Sequence, residues 1–388
     1  MAGDKEVILI TGASGRIGFK SAERFSKDFQ IVGFDVYLAG QLPGVEFVAI
    51  DMATDTSLEE GLQHLKQNYG NKIASVIHLA AYYSFSTQHS SNYDRITVRG
   101  TERLLKGLQQ FDVDQFIFSS TMLVHKPTKP GVKINEDSPI VPTWDYPLSK
   151  VKTEAVIHKE RGKIPAVILR IAGVYDDHCH SIPLSNQMQR IFENQLESHV
   201  FAGDVTHGAA FVHMDDLIDA LALCVQKRKT LPPEVTLLIG EDVTFSYDQL
   251  QRMMQRQIFG KEWKTWSVPK KIAKFGAWMQ DHLPLMKPGF IKPWMIDIAD
   301  DHYELDISLL IWAAGVTLGL LRLLAGFAAV WRLARHSAAD PEIDRLARSP
   351  STEGRGPSSG GKFKGWIAGA LAETVAGDRA AQMSERAI

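Results

Sequence analysis

Three observations in the sequence predict an α/β fold with a doubly wound parallel sheet. Short apolar runs of strand length recur along the first part of the chain, helical patterns of about 15–20 residues separate them, and a glycine-rich turn directly follows the first run. Val7–Ile10 is that first run, and a helical pattern follows from Ile17 to about Lys27. Gln30–Val36 and Glu46–Met52 read as further strands. Ser57-Leu58-Glu59-Glu60 has the form of a capping box, which predicts a helix running to about Asn68. Ser75–Ala81, Gln115–Ser120 and Ala166–Val174 continue the strands, with helices near Asn92–Phe111 and Tyr146–Arg161. Repeated strand–helix–strand units require crossover connections and hence parallel pairing.

From about Asp176 the rhythm loosens. Prolines punctuate the chain, and Trp263, Trp266, Trp278 and Trp294 cluster in a stretch read as a smaller substrate region. The predicted organisation is a dinucleotide-binding domain over residues 1–175, a substrate-binding or lid region over 176–307 interleaved with the core, and an atypical tail over 308–388. The tail opens with the apolar segment 309–331 and contains a Ser/Gly/Pro-rich linker at 349–361. A run of about 20 apolar residues suits a bilayer, whereas Arg322 at its centre opposes insertion. Membrane association through 309–331 and a buried or amphipathic helix pair both stay open. The 43 basic and 45 acidic residues leave a net charge of −2, which excludes an overall basic field for nucleic acid. Cys179 and Cys224 are the only cysteines, so no disulfide scaffold is expected. With no apolar secretory segment near Met1, a cytoplasmic location is expected.

Thr11-Gly12-Ala13-Ser14-Gly15-Arg16-Ile17-Gly18 joins the first strand to the first helix. Glycines at these points allow a tight turn, close approach of a pyrophosphate and close helix–sheet packing, while the helix N-terminus offers free N–H groups. This is a Rossmann-type signature. Asp35 ends the second strand twenty residues beyond Gly15, where a carboxylate accepts hydrogen bonds from an adenosine ribose and repels a 2′-phosphate. NAD is therefore favoured over NADP, with Arg16 the residue that argues the other way. Tyr146 and Lys150 stand four apart in Tyr146-Pro147-Leu148-Ser149-Lys150, on one helix face. A neighbouring ammonium favours tyrosinate, so Lys150 is expected to lower the Tyr146 pKa and make it a general acid/base.

Taken together, these residues resemble the extended short-chain dehydrogenase/reductases, the NAD-dependent epimerase/dehydratase family. The resemblance runs from about Val7 to Ser308 through the glycine loop, Asp35, Asp51, His78-Leu79-Ala80-Ala81, Ser119-Ser120-Thr121, the Tyr146/Lys150 pair, Arg170 and Phe211–Leu217. It implies that Asp51 and Met52 lie near an adenine and that Leu79, Ala80 and Ala81 lie beside the cofactor. It also implies that Thr121 bonds the reacting oxygen and that Lys150 holds the nicotinamide ribose while Tyr146 exchanges the proton. The cofactor supplies the redox chemistry. The function so implied is oxidation or reduction of a secondary alcohol or ketone, with sugar epimerisation by transient oxidation as the alternative and a dinucleotide-sensing binding protein as a third. The family also often forms homodimers.

Several positions depart from the family pattern. Met122-Leu123 stand where dehydratases carry an Asp-Glu pair, which argues against dehydration. Gly173 and Ala209 replace the Asn and Arg that commonly serve the diphosphate in nucleotide-sugar epimerases, and Thr97 replaces a usual Asn. His178-Cys179-His180, His207 and His213 lack the companions of a familiar zinc site and read as ordinary loop histidines. His78 reads as a packed core histidine near the cofactor.

Overall fold

The computed structural model describes residues 5–37, 40–84, 89–282 and 291–310. Apart from its first two residues, the apolar segment 309–331 lies outside them, as does the linker at 349–361. The elements in chain order are β1 (Val7–Thr11), α1 (Arg16–Phe25), β2 (Gln30–Asp35), β3 (Val45–Ala49), α2 (Asp55–Tyr69), β4 (Lys72–Ile73), β5 (Ser75–His78), α3 (Arg99–Leu108), β6 (Asp112–Val113), β7 (Phe116–Thr121), α4 (Asp145–Glu160), β8 (Ala166–Ile171) and β9 (Gly173–Tyr175). They continue as α5 (Ile182–Phe192), β10 (Val200–Ala202), β11 (Phe211–His213), α6 (Met214–Gln226), β12 (Glu234–Ile239), α7 (Tyr247–Phe259), β13 (Trp266–Val268), α8 (Lys270–His282) and α9 (Pro293–Asp297). A π-helical turn over Tyr93–Val98 leads into α3.

The chain forms two compact units, the first from residues up to Val174 with 209–244 and the stretch from His302, the second from 175–208 and 245–301. In the first, seven parallel strands order as β12-β8-β7-β5-β1-β2-β3. The strand order reverses between β1 and β5, the point at which open α/β sheets bind ligands beyond their carboxyl ends. This is the predicted doubly wound, Rossmann-type sheet.

Successive side chains of a strand point to opposite faces, and both faces here are covered. Ile8 and Ile10 of β1 join Ala22, Phe25, Leu217 and Leu221 on the side of α1 and α6. Val7 and Leu9 join Leu62, Leu65, Leu104, Leu105 and Ile157 on the side of α2, α3 and α4. Burial on both faces explains why the strands read as unbroken apolar runs rather than alternating ones.

Two local expectations are corrected. Ser57 forms no capping box: α2 starts earlier, at Asp55, and the Ser57 hydroxyl accepts the backbone N–H of Asp51 at 2.9 Å. The serine thus ties the loop after β3 to the helix. The run Ala166–Val174 is broken, because β8 stops at Ile171 and the Gly173 N–H turns to the carbonyl of Ala210 at 3.1 Å.

The second unit contains α5, α7, α8, α9 and a parallel β10–β13 pair. The Gln251 side chain, fully buried, accepts from Gln187 at 2.9 Å and donates to the Ser198 carbonyl at 2.8 Å. None of the described helices is long and apolar enough to cross a membrane.

Candidate active site

All seven strands being parallel, their carboxyl ends share one edge, and the predicted site residues gather there in the first unit. Gly12 follows β1 with φ +71° and donates its N–H to the Phe34 carbonyl at 2.8 Å. Gly15 caps α1 and donates back to the Gly12 carbonyl at 3.1 Å, closing the turn. Gly18 is buried one turn into α1, against the Gly12 carbonyl. Gly15 and Arg16 are exposed, and Ser14 and Ile17 are half-buried. The loop therefore presents a bare helix N-terminus with no side-chain cap, the arrangement that suits an anionic pyrophosphate.

Asp35 ends β2 and accepts the Ser14 N–H at 2.9 Å. Burial raises its pKa, while backbone N–H groups of Ser14, Tyr37, Val36 and Gly15 oppose the rise. Asp51 lies two residues beyond β3, where its carboxylate accepts the Ala53 N–H at 2.8 Å. Met52 is buried beneath Gly100, at a spot where a Cβ on the glycine would come within 3.0 Å of the Met52 carbonyl oxygen.

Leu79, Ala80 and Ala81 follow β5, the Leu79 N–H bonding the Thr11 carbonyl at 3.0 Å. A buried relay holds this strand end. The Ala80 N–H donates to the Thr11 hydroxyl, which lies 2.6 Å from His78 Nδ1, and His78 Nε2 lies 2.8 Å from the Thr101 hydroxyl. Thr101 donates onward to the Thr97 carbonyl at 2.6 Å, so the network assigns the His78 proton to Nε2. Burial and the Lys150 charge lower the His78 pKa to about 3, keeping it neutral. Thr97 sits in the π-helical turn, and its hydroxyl accepts the Tyr82 N–H at 2.9 Å.

Thr121 ends β7, and Tyr146 and Lys150 enter from the first turns of α4. A hydrogen bond from Thr121 lowers the Tyr146 pKa, but burial prevails and pushes it up to about 12. The Lys150 ammonium donates to the Ser119 carbonyl at 2.7 Å and lies 5.8 Å from the Tyr146 ring centre. Burial lowers the Lys150 pKa to about 7, against a raising influence from Glu154. The expected electrostatic pull of Lys150 on Tyr146 is thus corrected. Desolvation disfavours the charged form of both groups and is the largest influence on each.

Arg170, which the resemblance includes, stands behind this pair together with Glu154, and Tyr83 and Trp144 stand in front of it; the last three are not singled out by the sequence. Behind it, Arg170 of β8 and Glu154 of α4 form an ion pair at 2.9 Å with side chains 9% and 12% exposed. Ser120 donates to the same carboxylate. Arg170 also reaches His125 Nε2 at 3.1 Å and the Glu136 carbonyl at 2.9 Å. Burial and the Arg170 charge lower the His125 pKa to about 4, so its ring is neutral too. Glu154 follows Lys150 by one helical turn, a spacing visible in the sequence but ordinary on any helix. In front, the rings of Tyr83 and Trp144 pack at 4.7 and 5.4 Å from that of Tyr146. The doublet Tyr82-Tyr83, directly after Ala80-Ala81, was the signal available for them.

At Gly173, a Cβ would come within 2.8 Å of the Phe211 ring. In the second unit, His180 Nδ1 lies 2.6 Å from an Asp176 carboxylate oxygen, and the Cys179 thiol lies 3.4 Å from the Met188 sulfur. No group of three or more metal-ligating side chains is assembled among the described residues.

Comparison with known proteins adds the following. The family model described as "NAD dependent epimerase/dehydratase family" matches residues 8–240. An uncharacterized UDP-glucose epimerase of Bacillus subtilis is 25% identical over 251 residues, covering 61% of this chain and 75% of the relative. Short-chain dehydrogenase/reductase family 42E member 1 of Bos taurus is 26% identical over 243 residues, covering 58% of this chain and 59% of the relative. The chain thus spans only part of the length of these curated relatives. Among solved structures, the UDP-glucuronic acid 4-epimerase of Bacillus cereus, in complex with UDP-glucuronic acid and NAD, superposes with a TM-score of 0.62 at 22% identity. That superposition covers 85% of this chain and 99% of the other. The UDP-glucose 4-epimerase of Thermus thermophilus, in complex with NAD, gives a TM-score of 0.60 at 18% identity over 86% of this chain and 99% of the other. At these identities the likeness establishes the fold.

Proposed function

The chain belongs to the NAD-dependent epimerase/dehydratase family, and from that premise we propose that it binds NAD along the carboxyl edge of the sheet and uses it to interconvert a secondary alcohol and a ketone. The observation that carries this reading is the Thr121–Tyr146–Lys150 arrangement, with a tyrosine hydroxyl bonded to Thr121 and a buried lysine on the same helix face. The residues present fit the dinucleotide. The loop leaves an uncapped helix N-terminus for phosphates, and Asp35 offers a carboxylate at the end of β2 for a ribose. In the proposed arrangement Gly12, Ser14, Gly15, Arg16, Ile17 and Gly18 hold the pyrophosphate. Asp51 and Met52 border the adenine, and Leu79, Ala80 and Ala81 flank the ring system.

When bound, NAD supplies the hydride acceptor or donor. The remaining work falls to the chain itself. Thr121 holds the substrate oxygen. Tyr146, a phenol at neutral pH because burial holds its pKa near 12, donates a proton to that oxygen as a ketone is reduced. Lys150, held by the Ser119 carbonyl beside Tyr146, binds the nicotinamide ribose. Tyr83 and Trp144 shield the proton transfer from water on the open side.

Sugar epimerisation by transient oxidation is the second reading, favoured by the epimerases among the relatives. Against a UDP-sugar stands Gly173, whose place the Phe211 ring crowds, so that an asparagine there meets an obstacle. The dinucleotide content of freshly desalted protein, identified by mass after denaturation, separates the two. Near-stoichiometric retained NAD points to internal recycling and the epimerase. Empty protein that binds added NAD reversibly points to a dehydrogenase or reductase. Protein that is empty and cannot be filled refutes both.

A further inference from the structure

Helix α8 of the second unit turns Lys270 and Lys274 toward acidic partners and leaves large apolar side chains exposed. Lys270 donates to the Asp297 carbonyl at 2.6 Å and pairs with the Asp300 carboxylate, and Lys274 pairs with Asp297 at 2.5 Å. Ala277, on the same face, is buried. At 3.6 residues per turn Ile272 and Phe275 lie on the opposite face, with Lys271 and Trp278 on the flank between. Ile272 is 63% exposed, Phe275 62% and Trp278 49%. Phe275 and Trp278 stack with ring centres 6.1 Å apart, which makes a continuous aromatic ridge. Immediately before the helix, Trp266 is 61% exposed with the Lys264 ammonium 4.6 Å from its ring centre. An ordinary surface helix shows the reverse polarity, and a cluster of exposed apolar side chains of this size marks an interaction surface.

We propose that this ridge docks on an anionic lipid surface, with α8 lying in the plane of the interface. The thirteen residues of α8 span about 20 Å, too short to cross the hydrocarbon core of a bilayer. Tryptophan and phenylalanine bordered by lysine is the composition that settles between headgroups and acyl chains. Cations predominate along the ridge, between Glu262 and Asp281, which bracket it in the sequence, and beside the Asp297 carboxylate that pairs with Lys274. The sequence from Trp263 to Gln280 contains no Asp or Glu, and Lys264 and Lys271 are exposed. This complements phosphate headgroups, and it opposes a two-fold contact with a second copy, which would bring the same cations together. The outward apolar face then meets acyl chains while Lys264 and Lys271 meet lipid phosphates.

The test is co-sedimentation of the full chain with vesicles of phosphatidylcholine alone and of phosphatidylcholine mixed with phosphatidylglycerol. The expected result is binding to the mixed vesicles that weakens as salt is added. Phe275→Ser combined with Trp278→Ser should lower the partition coefficient about tenfold or more, with the thermal midpoint retained because both side chains are exposed. Lys264→Gln combined with Lys271→Gln should flatten the salt dependence. The proposal is overturned if the serine variant sediments like the wild type, which would assign any binding to another segment such as 309–331. It is equally overturned if the wild type ignores both vesicles, or if the serine changes abolish a dimer in solution while vesicle binding is absent.

Discussion

Replacing Gly15 by alanine separates the glycines the fold needs from the one a ligand needs. A Cβ on Gly18 would lie 2.1 Å from the Gly12 carbonyl oxygen and 2.8 Å from Ala13 Cα. One on Gly12 would lie 2.8 Å from the Ala80 nitrogen, at a φ of +71°. Both obstacles are backbone, and the left-handed conformation alone costs a non-glycine residue about 1–2 kcal/mol. Gly15 differs. Its φ of −68° and ψ of 161° suit any residue, and its Cβ would meet one atom, the Gly12 carbonyl oxygen at 3.3 Å. The cost to the fold is relief of that contact and a poorer helix cap, together about 0.5–1 kcal/mol. For a unit of this size that lowers the thermal midpoint by roughly 1–4 °C. To a pyrophosphate approaching the N-terminus of α1, however, the same methyl group is an obstruction. Gly15→Ala should therefore melt near the wild type yet bind NAD at least about tenfold more weakly, or 1.4 kcal/mol, whereas Gly18→Ala should fail to fold stably. Paired melting curves and NAD titrations decide the matter. A Gly15→Ala protein that melts normally and binds NAD with unchanged affinity would falsify the placement of the pyrophosphate on this loop.

Three further outcomes are expected. Tyr146→Phe should lower turnover by about 10²–10⁴-fold while NAD affinity stays within a few-fold, and unimpaired turnover would assign the proton to another group. Glu154→Gln leaves the Arg170 guanidinium buried without its counter-charge, at a cost of about 3–5 kcal/mol in urea unfolding. Adding Arg170→Met should recover part of that loss, and a double variant no better than the single one would discount the pair. Lys150 has a folded pKa of about 7, below its unfolded value. Between those two values the unfolded chain binds a proton that the folded chain does not, so stability rises with pH across that window. Wild type should accordingly gain on Lys150→Met between pH 7 and pH 9, and parallel urea midpoints would show that burial does not depress this lysine.

The parts of the fold legible in the sequence were those set by burial on a regular period. β1, β2, β5, β7 and β8 are covered on both faces, so each is an apolar run whose length alone identifies it. The errors fell where a polar side chain had two uses for its hydroxyl or where the chain changed direction. Ser57 could cap its own helix or hold the loop after β3, and only tertiary contact with the Asp51 N–H selects the second. The break at Ala172 could not be foreseen either, because it depends on the carbonyl of Ala210, which is distant in sequence.

The candidate site shows the same division more sharply. Side-chain identity and spacing brought Gly12, Asp35, Tyr146 and Lys150 into view, because their chemistry is local to a turn or to one helix face, while Thr121 came from the family resemblance. Their charge states were not visible, since those depend on enclosure by residues far apart in the chain. The i, i+4 spacing of Tyr146 and Lys150 suggests an ammonium that stabilises a tyrosinate. In the folded unit, burial moves the two pKa values in opposite directions, to about 12 and about 7. Each shift favours the neutral form, so at neutral pH the phenol keeps its proton and the lysine sits near its midpoint. Glu154 is what keeps Lys150 from falling further, and it is held in turn by Arg170 of β8 and Ser120 of β7. The buried ion pair therefore bears on the proton chemistry as well as on packing: its carboxylate is the charge that opposes desolvation of Lys150, one helical turn away.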